Sequence, residues 1–213
     1  MNRIALARNS FTFRSFKPLT QVLRMLNTAN ATEQFSRNQL WFKQIVRSQR
    51  RGITCLPDFL GLKPTEFHWM SRGRNYRVRQ ELMHDHAADQ QRMEQDLRQQ
   101  LLEMREDEWV ELRDMMVDNR AGVCDSELVM ADIVAAACLG GTHLWRDLGM
   151  ADRQQLNDLM HSNFPALAAR NDRDMKWKKF FYKQLCELGG GYVCRAPSCD
   201  VCTAYADCFG PED

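Results

Sequence analysis

The stretch DMKWKKFFYKQLCELGGG, residues 174–191, decides the fold class. Trp177, Phe180, Phe181, Leu185 and Leu188 recur at i, i+3, i+4, i+8 and i+11, a single broad apolar stripe with the period of an α-helix. Lys176, Lys178, Lys179 and Lys183 take most of the remaining surface, so the helix needs a core on one side and water on the other. Gly189, Gly190 and Gly191 then end the helix at little conformational cost and release the chain into YVCRAPSCDVCTAYADCFGPED, residues 192–213.

The same period recurs upstream. Val22, Leu23 and Leu26 begin a short helix, and a second runs from Thr32 to Gln49 with Phe35, Leu40, Phe42, Ile45 and Val46 available to a buried face. RRGITCLPDFLGLKP, residues 50–64, breaks the pattern. Residues 75–119 are rich in Arg, Gln, Glu, Leu and Met, good helix formers, and form one long helix or two; Leu82, Met83, Met93, Leu97, Leu101 and Leu102 do not sustain the heptads of a coiled coil. Asp125 or Ser126 caps a helix through Cys138, which Gly140 and Gly141 end by a left-handed turn. Asp152 with Gln155 resembles a capping box for a helix through Met160, and Pro165 opens the next turn. No strand alternation is visible. The expected fold is mainly α, a compact helical domain with an irregular C-terminal cysteine-rich metal-binding loop, preceded by a basic segment over residues 1–50.

Bulk properties narrow the functions. The chain has 213 residues, 44% of them hydrophobic, enough for one core, and its formal charge of +1 gives no field to gather nucleic acid. The most apolar stretch, IVAAACLGG at 133–141, is far short of the roughly 18 residues of a membrane span, and the N-terminus has no export-type apolar region. The thiols are therefore expected to meet a reducing cytosol. Residues 1–32 carry Arg3, Arg8, Arg14, Lys17 and Arg24 without an acid, the composition of a transit peptide or of a basic arm.

The chemistry concentrates in the tail. Cys194, Cys199, Cys202 and Cys208 are spaced C-x4-C-x2-C-x5-C, and in a reducing compartment this crowding points to a metal or redox site ahead of disulfides. Four thiolates can close a tetrahedral zinc site, whereas C-x4-C-x2-C also opens the plant-type iron–sulfur pattern. Cys186 is either a further ligand or a small buried side chain, and His143, in GGTHLW after a glycine break, is either a ligand approaching from across the fold or a capping histidine. Cys55, Cys124 and Cys138 are scattered and read as structural. His84 and His86 are two apart and point in nearly opposite directions on a helix. Residues 173–183 contain Arg173, Lys176, Lys178, Lys179 and Lys183 against Asp174 alone, a local charge of +4 suited to an anion or an acidic partner, or a solvated face.

DMKWKKFFYKQLC followed by C-x4-C-x2-C-x5-C and CFGPED resembles the NifQ family of nitrogen-fixation proteins, and the resemblance extends through VAAACLGGTHLWRDLGM and HSNFPALAARN, more weakly to LPDFLGLKPTEF. Residues 51–213 would then form a NifQ-like domain with its cysteine motif at 194–208. The resemblance implies a non-enzymatic, bacterial cytoplasmic molybdenum metallochaperone. Its iron–sulfur cluster, of 3Fe-4S or Mo-Fe-S type, would sit on Cys194, Cys199, Cys202 and Cys208. Molybdate, and the scaffold and reductase components of nitrogenase cofactor assembly, are the implied partners, with neither nucleic acid nor membrane. An iron–sulfur electron-transfer protein and a zinc-stabilised binding module are the competing readings.

Overall fold

A computed structural model describes residues 19–71, 86–188 and 205–212. Its helices are α1 (Leu19–Arg50), α2 (Pro64–Met70), α3 (His86–Met104), α4 (Glu106–Asp118), α5 (Ser126–Cys138), α6 (Leu144–Asp147), α7 (Arg153–Asn163), α8 (Pro165–Arg170), α9 (Trp177–Leu188) and α10 (Tyr205–Phe209), with a 3-10 turn at Asp58–Gly61. No strand occurs among the described residues.

The most apolar helix is the central one. Its sequence SELVMADIVAAAC lacks a polar face, and α5 buries every residue except Leu128, as a helix apolar all round must. α4 packs along it through Leu112, Met115 and Met116, α1 contributes Phe42, Ile45 and Val46, and the α7–α8 hairpin contributes Leu156, Leu159, Met160, Phe164 and Leu167. Small side chains at Ala135–Ala137 let these neighbours approach closely.

Several expectations are corrected at this level. The short helix at Val22–Leu26 and the helix from Thr32 are one continuous α1, whose final turns share the core with residues 51–188. Leu40 is 66% exposed, because it lies on the opposite side of α1 from Phe42 and Val46. Of the two readings of the long polar segment, one helix or two, the described part has two, broken at Arg105, whose guanidinium turns to the Leu139 carbonyl (2.7 Å) and to Glu108. On α3, Leu102 packs inward while Met93, Leu97, Leu101 and Met104 form an exposed stripe.

Neither Asp125 nor Ser126 caps α5. The carboxylate of fully buried Glu127 instead accepts the Gly122, Val123 and Cys124 N–H groups (2.7, 3.0 and 3.1 Å), and the Ser126 hydroxyl accepts from Asn38 (2.8 Å). Asp152 does cap α7 by accepting the Gln155 N–H (2.8 Å), but the Gln155 side chain accepts from Ala151, so the box closes one residue early. Gly140 and Gly141 do not adopt the left-handed conformation after α5. Gly140 is there for room: a Cβ would fall 2.5 Å from Asp147 Cγ and 2.6 Å from Cys55 Sγ.

Candidate metal centre

The aromatic stripe behaves as its period requires: Trp177, Phe180 and Phe181 are buried, while Leu185 is half-buried. The Asn171 side chain brackets the approach to α9, donating to the Met175 carbonyl and accepting its N–H (both 2.9 Å). The N–H of Lys176, just ahead of α9, is taken by the Cys208 carbonyl (2.8 Å), and Lys176 Nζ donates to the Ala206 carbonyl (3.0 Å). The last cysteine of the motif thus caps the helix that leads into the motif, half-buried against the core.

Two more contacts hold the returning tail. The Arg173 guanidinium lies 5.3 Å from the Phe209 ring centre, and Glu212, 7% exposed, accepts from Arg153 Nη1 (2.7 Å). Arg153 Nη2 reaches the Asp174 carbonyl and carboxylate (2.9 Å each) and the Met175 carbonyl (3.1 Å), so one guanidinium ties the tail to the entry of α9. Its Nε is buried without a hydrogen-bond partner among the described residues. Nδ1 of His143 lies 3.8 Å from the same Glu212 oxygen, and that side chain is 32% exposed.

On the other side of α9's first turn, Lys178 runs inward. Its Nζ donates to the Gly140 carbonyl (2.8 Å) and to the Asp147 carboxylate, which also accepts the Thr142 N–H (3.0 Å) and hydroxyl (2.8 Å). Lysine and aspartate are only 16% and 6% exposed, so Lys178 is a buried ion pair and is not available as a surface anion contact. Lys183 stands 3.6 Å from Glu187, and Lys176 is engaged by α10; Lys179 is exposed. The +4 count in the sequence therefore overstates the positive surface.

The remaining thiols sort by depth. Burial, reinforced by Asp147, pushes the Cys55 thiol up to about 12, and burial raises Cys138 as well, so both thiols stay protonated at neutral pH. Cys186 is half-buried, ten residues beyond Lys176, which at the helical rise places it about 15 Å along the axis from the Cys208 contact. Cys194, Cys199 and Cys202 lie outside the described residues, and among the described residues no three metal-binding side chains converge. Of the predicted ligands, the structure therefore places Cys208 and His143 at one end of α9 and Cys186 toward the other. Arg153, Glu212 and Asp147, which order this end, had no signal in the sequence beyond being charged.

A family model described as NifQ matches residues 41–210, most of the chain and all four motif cysteines. The chain belongs to the NifQ family. This is a family of nitrogen fixation, and the match begins within α1, ahead of LPDFLGLKPTEF. The chain is 49% identical over 193 residues to Protein NifQ of Azotobacter vinelandii, covering 87% of this chain and 95% of that protein. It is 51% identical over 81 residues to Protein NifQ of Klebsiella pneumoniae, covering 38% and 48% respectively. It is also 42% identical over 99 residues to a NifQ homolog of Sinorhizobium fredii, covering 46% and 43%. No solved structure matches.

Proposed function

We propose that this NifQ-family chain is a molybdenum carrier: it holds molybdenum on an iron–sulfur cargo ligated by Cys194, Cys199, Cys202 and Cys208, and passes it to the proteins that assemble the nitrogenase cofactor. The observation that carries the proposal is the four-cysteine motif within the matched region, with its last member fixed at the entry of α9. Soft thiolates select iron–sulfur clusters over hard-ligand metals, and cluster sulfides can bridge iron to molybdenum, turning an oxyanion into a transferable unit. Three thiolates suffice for a three-iron core, which leaves the fourth motif position for holding or releasing molybdenum.

The donor chemistry fits. Cys208 is half-buried, whereas Cys138 is fully enclosed and burial raises the thiols of both Cys55 and Cys138. The orphaned Arg153 Nε is a buried donor for which an anionic cargo offers an acceptor. The protein on this reading is not an enzyme; it works in the bacterial cytoplasm, and its partners are molybdate, scaffold proteins and a reductase. No helix among the described residues is long and apolar enough to cross a membrane.

The test is anaerobic purification followed by elemental analysis and electron paramagnetic resonance of the wild type and of serine variants at the four motif cysteines. The reading expects iron and molybdenum in the wild type and their loss in the variants. A redox-active cluster that never releases molybdenum would mark an electron-transfer protein, and colourless protein with stoichiometric zinc would mark a structural module.

A further inference from the structure

We propose that the outward side of α3 is a docking surface for a basic amphipathic helix of a partner protein, gripped by Met93, Leu97, Leu101 and Met104 and steered by the carboxylates that border them. The surface lies apart from the cysteine motif, and the proposal stands whether or not the chain carries metal.

The faces of α3 are the reverse of what burial alone would give. Met93, Leu97, Leu101 and Met104 recur at i, i+4, i+8 and i+11, within about 80° of arc and over about 17 Å of the axis, and each is between 50% and 81% exposed. The inward side, about 140° round the helix, carries Gln95, Arg98 and Leu102. There Gln95 Oε1 and Arg98 Nη1 are buried without a hydrogen-bond partner among the described residues. A surface helix ordinarily turns its apolar stripe to the core and leaves glutamine and arginine to water, since an unmatched buried polar group is costly. α3 gives up both advantages, and a partner that covers the stripe restores the hydrophobic one. The other large exposed apolar side chains, such as Leu40 and Ile53, are on different elements and stand singly, as is ordinary at a protein surface.

The border of the stripe specifies the charge of the occupant. Asp96 and Glu103, seven residues apart and so on one side of the helix, line one edge, and Glu94 lines the other; all three are exposed. The bases between residues 93 and 107 are Arg98 and Arg105, both part-buried, and Arg105 is already engaged by Glu108 and the Leu139 carbonyl. A partner helix with lysine or arginine on either side of its apolar stripe therefore meets opposite charge along both edges. The stripe runs for three turns, long enough for anchors at i, i+3 or i+4, and i+7, and its terminal methionines, unbranched and polarizable, adapt to the shape they meet.

Other occupants match this border badly. An antiparallel pair of α3 helices centred between Leu97 and Leu101 sets Met93 over Met104, but it also sets Glu94 of one copy over Glu103 of the other, and a parallel pair sets each carboxylate against itself. A lipid surface is neutral or anionic, and a helix that lies in it borders its apolar face with lysine and arginine, the opposite of what α3 presents.

The experiment measures, by fluorescence anisotropy, the binding of two designed amphipathic peptides to the full-length protein. They share one leucine stripe, flanked by lysine in the first and by glutamate in the second. The wild type is expected to bind the lysine peptide at least about tenfold tighter than the glutamate peptide, with the preference shrinking as salt is added. L97S/L101S should weaken binding by about tenfold or more, L40S on α1 should leave it unchanged, and D96K/E103K should reverse the preference between the peptides. Equal affinity for the two peptides, binding of neither, or binding that survives L97S/L101S overturns the proposal. So does a dimer in sedimentation that L97S/L101S dissociates, which assigns the face to a second copy, and so does binding to phosphatidylcholine–phosphatidylglycerol vesicles that the same variant abolishes. All the substituted positions are exposed, so melting curves should match the wild type; should L97S/L101S fail to fold, the charge reversal in D96K/E103K decides.

Discussion

Replacing Lys178 by methionine isolates one interaction at the hinge between α6 and α9. The change keeps most of the aliphatic stem and removes the ammonium, leaving the Asp147 carboxylate, 6% exposed, without its charged partner. Breaking a buried pair from one side costs about 3–5 kcal/mol. Here the low end applies, because Thr142 continues to donate its N–H (3.0 Å) and hydroxyl (2.8 Å), although the Gly140 carbonyl loses its donor. At about 3 kcal/mol, and with roughly 2–4 °C per kcal/mol for a chain of this size, K178M should melt about 6–12 °C below the wild type. Thermal and urea unfolding of the metal-free protein, followed by circular dichroism at neutral pH, reads this directly, and an unchanged m-value would confirm that the native state is what has lost stability. K179M on the exposed neighbour should stay within about 0.5 kcal/mol of wild type. Adding D147N to K178M should recover much of the loss, since the uncompensated charge is gone. A K178M midpoint that coincides with that of K179M would refute the buried pair and return Lys178 to the solvated face.

Three further outcomes follow from the same packing. G140A drives a Cβ to 2.5 Å from Asp147 Cγ and 2.6 Å from Cys55 Sγ, so it should cost about 1–3 kcal/mol by chemical denaturation, whereas G141A, with nothing within 4 Å, should be near neutral. Cys55 and Cys138, their thiols raised by burial, should resist a thiol-labelling reagent at mildly alkaline pH until the protein unfolds, as peptide mass mapping would show; labelling of either at the unfolded-state rate would contradict the packing. Arg105 hydrogen bonds hold the Glu108 carboxyl below the ordinary glutamate range, which stabilises the fold above that range and ceases to do so as pH falls through the depressed value. Burial and the bond to Glu108 raise the Tyr182 phenol, whose contribution is present below the ordinary tyrosine pKa of about 10 and lost on further alkalinisation. Urea midpoints against pH should therefore fall at both limbs, and E108Q should flatten the acid limb.

Legibility in the sequence followed the range of the interaction. Trp177, Phe180 and Phe181 announce their helix and its buried face because the period is local, and Asp152 announces its cap because the hydrogen bond spans three residues. Where a partner is distant in sequence, residue type alone misleads. Ser126 is an apt cap by composition, yet Asn38, 88 positions away, claims its hydroxyl, and Glu127 turns back to serve three backbone N–H groups. Lys178 falls in a run of lysines that reads as surface, but Asp147, 31 residues earlier, draws it inside.

The candidate metal centre divides along the same line. The motif of Cys194, Cys199, Cys202 and Cys208 is legible because its four thiols fall within fifteen positions. What receives the last of them is not legible, because it is assembled from pieces far apart in the chain: the His143 loop, Arg153 at the start of α7, Asp174 and Met175 ahead of α9, and Glu212 after α10. Arg153 joins two of the other pieces, Glu212 and the Asp174–Met175 stretch, with two of its nitrogens, while its Nε is buried without a partner among the described residues. Anchors drawn from such distant segments carry no local period or spacing, so only the folded chain shows which end of α9 receives Cys208.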